Sequence, residues 1–185
     1  ARMDFDTTSK KNSHLKIFNS MKKGDIDILI GTQMITKGLD FPFVTLVGII
    51  AADTSLNLPD FRSSERTYQL LTQVGGRAGR GDFEGKVIVQ TYNPEHFSIA
   101  LAKKYDYFEF YNREINIREK FGYPPFKEII NILVYGIDEK KVALYSKDIY
   151  NSILKELETI GKNELVCDVF GPNPALLNKL NNNFR

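Results

Sequence analysis

Residues 26–42 read IDILIGTQMITKGLDFP. The first six form a short aliphatic run that ends at a glycine, which predicts a buried strand over residues 26–31. Two threonines, a lysine, a second glycine and a carboxylate then follow within the next ten positions. Loops at the carboxyl ends of parallel strands hold the working residues of α/β proteins, so we expect functional side chains here.

Strand-like and helix-like segments alternate on both sides of this stretch. Helices are predicted over residues 8–23, 62–78 and 93–120, the last with Asn93 as its N-cap, and further strands over residues 44–52 and 85–92. This alternation predicts an α/β fold with a parallel sheet. Beyond Gly122–Pro125, a strand over 128–136, a helix over 139–160 and a strand over 165–170 predict a second, small α/β domain.

Composition limits the functional classes. The chain has 185 residues, 42% hydrophobic and 26% charged, which is typical of a folded globular protein. With a net charge of only +2, the surface as a whole is not expected to bind polyanions. Any nucleic-acid contact must therefore come from a local cluster of side chains. The single cysteine, Cys167, excludes an internal disulfide and a cysteine-cluster metal site, and we interpret it as a small core residue. No apolar run is long enough for a membrane span, and a reducing, cytoplasmic compartment is expected.

The loop over residues 31–42 has the chemistry for phosphate contact. Hydroxyl, ammonium and backbone N–H groups can all donate to phosphate oxygens, and Asp40 near a strand end could accept from a ribose hydroxyl. The alternative is a polar loop whose glycines only permit a turn.

A second cluster is QVGGRAGR, residues 73–80. Arg77 and Arg80, three positions apart, would be neighbours on one helical face, and arginine suits bidentate phosphate recognition. Gln73 could orient a polar partner. The alternative is a solvated helix end. A dinucleotide-binding turn is excluded because G-x-G-x-x-G is absent, and without a G-x-x-x-x-G-K-[ST] loop we expect that this chain alone cannot hold a triphosphate and its metal.

The segment between these clusters contains further charged residues. Asp53 follows a predicted strand and could be catalytic or could cap a loop. Arg62, Glu65 and Arg66 are interpreted as an internal ion-pair set on the next helix.

Together these segments resemble the second motor lobe of superfamily 2 helicases. GTQMITKGLDFP resembles the fifth motif of that group and QVGGRAGR the sixth. The chain is most similar to one family, the bacterial primosomal protein N′ (PriA) helicases. The matching segments are RMDFDTT (2–8), DTSLNLPDFRSSERTYQLLTQVGGRAGR (53–80), QTYNPEH (90–96), FGYPPF (121–126) and GPNPA (171–175).

The resemblance implies a set of residue roles. Arg77 and Arg80 would be catalytic arginines that reach the γ-phosphate of ATP. The ATP-binding positions would be Gly38, Asp40 and Gln73, and the DNA-binding positions Thr32, Gln33 and Lys37. ATP and Mg²⁺ would be held mainly by an upstream lobe, and the family's zinc cysteines would also lie upstream, so no metal ligand is expected in this chain.

The resemblance also implies an architecture and a cellular role. Residues 1–93 would form most of a RecA-like parallel-sheet lobe, residues 94–125 a helical connector, and residues 126–185 a truncated C-terminal α/β domain. The chain would be a fragment, inactive alone, of an ATP-dependent DNA helicase that restarts stalled replication forks and loads the primosome. Expected partners are single-stranded and forked DNA, primosome proteins and single-strand-binding proteins, with no membrane, in the nucleoid-associated bacterial cytoplasm. The alternatives are a non-catalytic DNA-binding or scaffold module, or another superfamily 2 helicase of repair or recombination.

Overall fold

The computed structural model describes residues 1–4, 13–32, 35, 41, 43–76, 78, 84–160 and 167–185. The chain forms two compact units, Ala1–Glu128 and Ile129–Arg185, and is of mixed α/β character. The predicted division into domains at residues 93 and 125 stays a prediction.

The first unit alternates strands with helices. Its strands are β1 (Arg2–Met3), β2 (Ile30–Gly31), β3 (Leu46–Ile49) and β4 (Lys86–Val89), and its helices are α1 (Ser13–Lys23), α2 (Asp53–Leu56), α3 (Ser63–Gly75), α4 (Phe97–Lys104) and α5 (Tyr107–Phe121). β1 pairs with β2 and β3 with β4, both in parallel, with Leu46 opposite Lys86 and Ile49 opposite Val89. The predicted parallel pairing is therefore confirmed.

The strands are shorter and more exposed than predicted. Only the last two residues of the 26–31 segment are in a strand, and Ile28 and Ile30 are largely exposed, so the prediction of a buried strand was wrong. The physical reason is that the strands of a parallel sheet are buried when other layers cover both faces of the sheet, and within the described residues β2 belongs to a sheet of only two short strands, β1 and β2.

The core of the first unit lies where α3, α4 and α5 meet the end of β3. Tyr68 and Leu71 of α3 are buried against Phe110 of α5, and the Tyr68 and Phe110 rings stack with centroids 4.1 Å apart. Stacked rings contribute about 0.5–1.5 kcal/mol beyond the area that they bury. Because one face of α3 is buried in this core, the position of its exposed carboxyl end is fixed.

The long helix predicted over residues 93–120 is two helices. Tyr105 ends α4 in the left-handed region at φ 53°, and Asp106 caps α5 by accepting from the Glu109 N–H at 3.1 Å. The predicted cap at Asn93 was also wrong: the cap of α4 is His96, whose Nδ1 accepts from the Ser98 N–H at 3.3 Å. Burial lowers the pKa of His96, which favours the neutral ring that this bond requires.

The second unit consists of α6 (Glu139–Ile160) and a hairpin of β5 (Lys179–Leu180) and β6 (Asn183–Phe184). The predicted helix is confirmed. The predicted strand over 128–136 was wrong, since only Gly136 makes a bridge, to Phe184, and residues 167–170 of the other predicted strand are not in a strand. Cys167 is exposed, so its interpretation as a core residue was wrong as well. Within the described ranges, no helix has both the length and the apolar character that a membrane crossing requires.

Candidate functional site

The first predicted cluster begins where β2 ends. Gly31 approaches the β1 backbone so closely that a Cβ atom there would overlap the Met3 carbonyl oxygen. Thr32 follows and is exposed, and its carbonyl accepts from the Ile35 N–H at 3.1 Å. The strand end thus presents Thr32 to solvent. The other predicted residues of this loop, Gln33, Lys37, Gly38 and Asp40, lie outside the described residues.

The second predicted cluster begins on the last turn of α3. Gln73 is exposed there, and the helix ends at Gly75 with Gly76 as its C-cap. The Gly76 N–H donates to the Thr72 carbonyl at 3.1 Å. Arg77 follows directly in the sequence, but Arg77 and Arg80 lie outside the described residues. The predicted site residues that the structure does place, Thr32 and Gln73, thus lie at the exposed ends of a strand and of a helix.

The first turn of α3 is held by an ionic network that spans distant parts of the sequence. Arg118 of α5 donates from Nη2 to Glu65 Oε2 at 2.7 Å and from Nε to Glu114 Oε1 at 2.9 Å. Its guanidinium lies 5.1 Å from the centroid of the Phe61 ring, which stacks on Tyr123. Burial opposes the charge of Arg118, but the hydrogen bonds to the two glutamates outweigh it, so its pKa is raised.

A second ion cluster precedes α3. Arg62 donates to both oxygens of Asp60, at 2.9 and 2.8 Å, and Arg66 Nη1 lies 2.9 Å from Asp60 Oδ2. The Arg62 side chain in particular holds the pKa of Asp60 at about 2. The predicted set of Arg62, Glu65 and Arg66 is corrected accordingly: the arginines bind Asp60, and Glu65 binds the distant Arg118.

Asp53 does not directly follow β3 but is the first residue of α2, and it joins that helix to the segment after β4. Its Oδ1 accepts from the Thr91 hydroxyl at 2.7 Å and its Oδ2 from the Tyr92 N–H at 2.9 Å. These hydrogen bonds, Thr91 first and Tyr92 second, lower the pKa of Asp53. Of the two roles that the sequence left open, the geometry favours the cap of a loop, because the carboxylate accepts bonds from the segment after β4.

A groove of about 350 Å³ lies between α3 and α5. On its wall Arg118 bonds to both Glu65 and Glu114, and the Glu65–Arg118 pair joins the two helices, so these charges already have partners within the protein. We therefore assign the groove a structural role.

The carboxyl end of α3 does not by itself favour a phosphate group. The carboxyl end of a helix carries partial negative charge, so an anion there requires cationic side chains. The sequence supplies Arg77 and Arg80 directly beyond α3, and Gln73 adds an exposed amide. The described residues hold no cluster of histidine, cysteine, aspartate and glutamate side chains that could bind a metal ion.

Comparisons with known proteins give one consistent result. Residues 2–82 match the Helicase conserved C-terminal domain, a range that includes Thr32 and Gln73. The chain is 52% identical to the replication restart protein PriA of Bacillus subtilis (strain 168) over 148 residues, which is 80% of this chain and 18% of that protein. It is 41% identical over 184 residues to PriA of Synechocystis sp., covering 100% of this chain and 21% of that protein. The chain belongs to the PriA family.

The PriA similarity extends beyond the helicase domain. PriA of Borreliella burgdorferi is 37% identical over 185 residues, which is 100% of this chain and 27% of that protein. Both units of the structure therefore lie within the PriA match. The chain spans about a fifth to a quarter of the length of these PriA relatives.

The Arg118 network and the Thr91 hydroxyl could not be assigned from the sequence. Arg118 lies 53 positions from Glu65, and Thr91 lies 38 positions from Asp53. The sequence offered one indirect signal for these residues. Both partners of each pair lie in or beside the segments that resemble PriA.

Proposed function

We propose that this chain is the part of a replication-restart DNA helicase that contains the second RecA-like motor lobe. The observation that carries the proposal is the PriA similarity over the full length of the chain, together with the match of residues 2–82 to a helicase domain. In this proposal residues 1–93 belong to the lobe, residues 94–125 form a helical connector, and residues 126–185 belong to a small C-terminal α/β domain.

The catalytic role is assigned to the arginines beyond α3. Arg77 and Arg80 neutralise charge that develops on the γ-phosphate, and Gln73 on the last turn of α3 orients a polar group nearby. Arginines in this role contribute roughly 10³–10⁵-fold in rate, or about 4–7 kcal/mol. Bound ATP with Mg²⁺, held mainly by an upstream lobe, supplies the phosphoanhydride that is hydrolysed. Gly38 and Asp40 lie beside the nucleotide.

The described geometry supports this role by fixing α3. The helix rises about 20 Å over its 13 residues. Its first turn is bonded to α5 through Glu65 and Arg118, and its buried face packs in the core. A support held at one end and along one face limits movement at the other end, where the arginines begin. Positioning of this kind is what electrostatic catalysis requires.

The loop after β2 is proposed to hold the DNA strand. The Thr32 hydroxyl, the Gln33 amide and the Lys37 ammonium donate to phosphate oxygens without reading bases. Loop movement as the lobes close and open would shift this contact along the strand. Substrates are single-stranded and forked DNA, and the proposed partners are primosome and single-strand-binding proteins in the bacterial cytoplasm, near the nucleoid. Zinc is assigned only to the longer protein.

The proposal is tested by unwinding of forked DNA. We expect the full-length protein to separate a forked duplex in an ATP-dependent reaction, and Arg80→Ala to reduce that rate by at least about tenfold. Arg113→Ala is the matched control, because Arg113 forms an exposed pair with Glu109 on α5. Equal unwinding by wild type and Arg80→Ala would contradict the assignment, and no unwinding by wild type would favour a scaffold role.

The 185-residue chain itself is expected to show no DNA-stimulated ATP hydrolysis. Turnover by the purified chain, unchanged by further purification and abolished by Arg77→Ala, would contradict the assignment of the phosphate-binding loop to an upstream lobe.

A further inference from the structure

Tyr92 is the most exposed large hydrophobic or aromatic side chain in the described part of the chain. It follows β4, and 94% of its surface is open to solvent. Burial of a tyrosine ring is favourable by about 25 cal/mol per Å² of apolar surface, so an open ring forgoes a large contribution to folding. The hydrogen bonds of the neighbouring backbone show how this position is held.

The backbone on both sides of the ring is fixed by side chains. The Tyr92 N–H donates to Asp53 Oδ2 at 2.9 Å, and the next N–H, that of Asn93, donates to Thr91 Oγ1 at 3.0 Å. The same Thr91 hydroxyl donates to Asp53 Oδ1 at 2.7 Å, and Asp53 is buried. Tyr92 therefore carries a solvent-open ring on a backbone that is hydrogen-bonded to Asp53 and Thr91. A backbone held in place before binding leaves only the side-chain torsions to be ordered when a ligand arrives.

The charge around Tyr92 limits the chemistry of the ligand. The Asp53 carboxylate lies directly beneath the backbone of Tyr92, and Glu95 is close in the sequence. Phosphate groups are disfavoured beside these carboxylates, whereas a neutral, planar base is not. Stacking on an exposed tyrosine requires only a flat π-face, which every nucleobase has.

The exposure of the Tyr92 ring indicates which of two ligands it suits, a base within a DNA strand or a free nucleotide. A small ligand is held by walls that bury most of its surface. Tyr92 is 94% exposed, so it presents a ring face for stacking but has no surrounding walls that could bury a small ligand. A base that is already tethered by its phosphate backbone needs only the face.

We propose that Tyr92 is a stacking platform for a base of single-stranded DNA, built by the bonds of Asp53 and Thr91 to the backbone on either side of it. The inference rests on the proposed helicase function and adds a base contact to the phosphate contacts assigned there. Its position after β4 places it at the carboxyl end of a parallel strand, the same kind of position that Thr32 occupies after β2.

The test uses the full-length protein and two oligonucleotides of about 15 nucleotides, one of thymidine and one abasic. Tyr92→Ala is expected to weaken binding of the thymidine strand by about 5- to 150-fold, and Tyr92→Phe to change it by less than about twofold. On the abasic strand, wild type and Tyr92→Ala are expected to bind equally, a result that general misfolding does not produce. Phe108→Ala, which removes a ring that is 80% exposed on α5, is the matched control.

Several outcomes would overturn the proposal. These are unchanged affinity of Tyr92→Ala for the thymidine strand, an equal loss on the abasic strand, an equal loss in Phe108→Ala, or a loss confined to ATP affinity. The salt dependence separates this proposal from the proposed function. Tyr92→Ala should leave the slope of log affinity against log salt unchanged, while Lys37→Ala should reduce it by about one. If Lys37→Ala alone has its predicted effect, the DNA-binding loop stands and the stacking platform fails.

Discussion

Arg118→Met removes the cation that joins α5 to the first turn of α3. The Arg118 side chain is 14% exposed and that of Glu114 is 9% exposed, so the change leaves a buried carboxylate without its ion-pair partner. Breaking a buried pair from one side costs about 3–5 kcal/mol. The Glu65 side chain is 37% exposed and can turn to water, so it adds little. Lost contact with the Phe61 ring adds about 0.5–1 kcal/mol. We therefore expect a loss of about 4–6 kcal/mol in unfolding free energy.

The assay is urea denaturation followed by circular dichroism, with Arg113→Met as the control. Arg113 is on the same helix and also pairs with a glutamate four positions earlier, but its side chain is 56% exposed and that of Glu109 is 44% exposed. We expect that control to cost less than about 0.5 kcal/mol. Adding Glu114→Gln to Arg118→Met should recover part of the loss, because it removes the stranded charge. Equal costs for the two arginine variants would show that burial of the Glu114–Arg118 pair does not set its contribution to stability.

Two further changes test the framework of the site. Gly31→Ala should destabilise the protein by about 1–3 kcal/mol and expose the β1–β2 amides to hydrogen exchange, because its Cβ overlaps the Met3 carbonyl oxygen. Gly48→Ala, also in a strand but with open space around its Cβ, is the control, and an equal effect would contradict the close approach. Asp60 has a pKa of about 2, below the ordinary 3.8, so its stabilising effect is complete above about pH 4 and is lost as pH falls towards 2. Asp60→Asn should cost about 1 kcal/mol at neutral pH, because the arginine partners of Asp60 are half exposed. This difference from wild type should shrink as pH falls from about 4 towards 2. A difference independent of pH would be evidence against an ionised Asp60 as its source.

Local signals in the sequence were sufficient for the elements that form from their own residues. The helix predicted over 139–160 matches α6, because its apolar positions recur at helical spacing and Asp138 accepts from the Lys141 N–H at 3.2 Å. The hairpin of β5 and β6 had a readable signal that was missed. Asn181 and Asn182 both have positive φ, 50° and 63°, as the two central residues of a tight hairpin turn require.

Elements that depend on distant partners could not be derived in this way. The apolar segment 128–136 has the composition of a strand, but a strand exists only where another backbone completes its hydrogen bonds, and Gly136 alone makes such a bridge. The break at Tyr105 also has no strong local signal, because tyrosine rarely adopts φ 53°.

The candidate site shows the same division. The motifs predicted which residue types lie beside a strand end and a helix end, and the structure places Thr32 and Gln73 there. The supports of the site were not predictable, since Arg118 could have paired with any of several glutamates. Its bond to Glu114 is an i,i+4 pair within α5, but only the fold brings it to Glu65.

The proposed role of Arg77 is to act on the γ-phosphate during hydrolysis. The direct test is DNA-stimulated ATP hydrolysis by the full-length protein, wild type against Arg77→Ala, with equilibrium ATP binding measured on the same samples. We predict that kcat falls by at least about a hundredfold while the affinity for ATP changes little, as expected for a contact made mainly in the transition state. An unchanged kcat would contradict this role for Arg77, and so would a loss of ATP binding large enough to explain the whole loss of turnover.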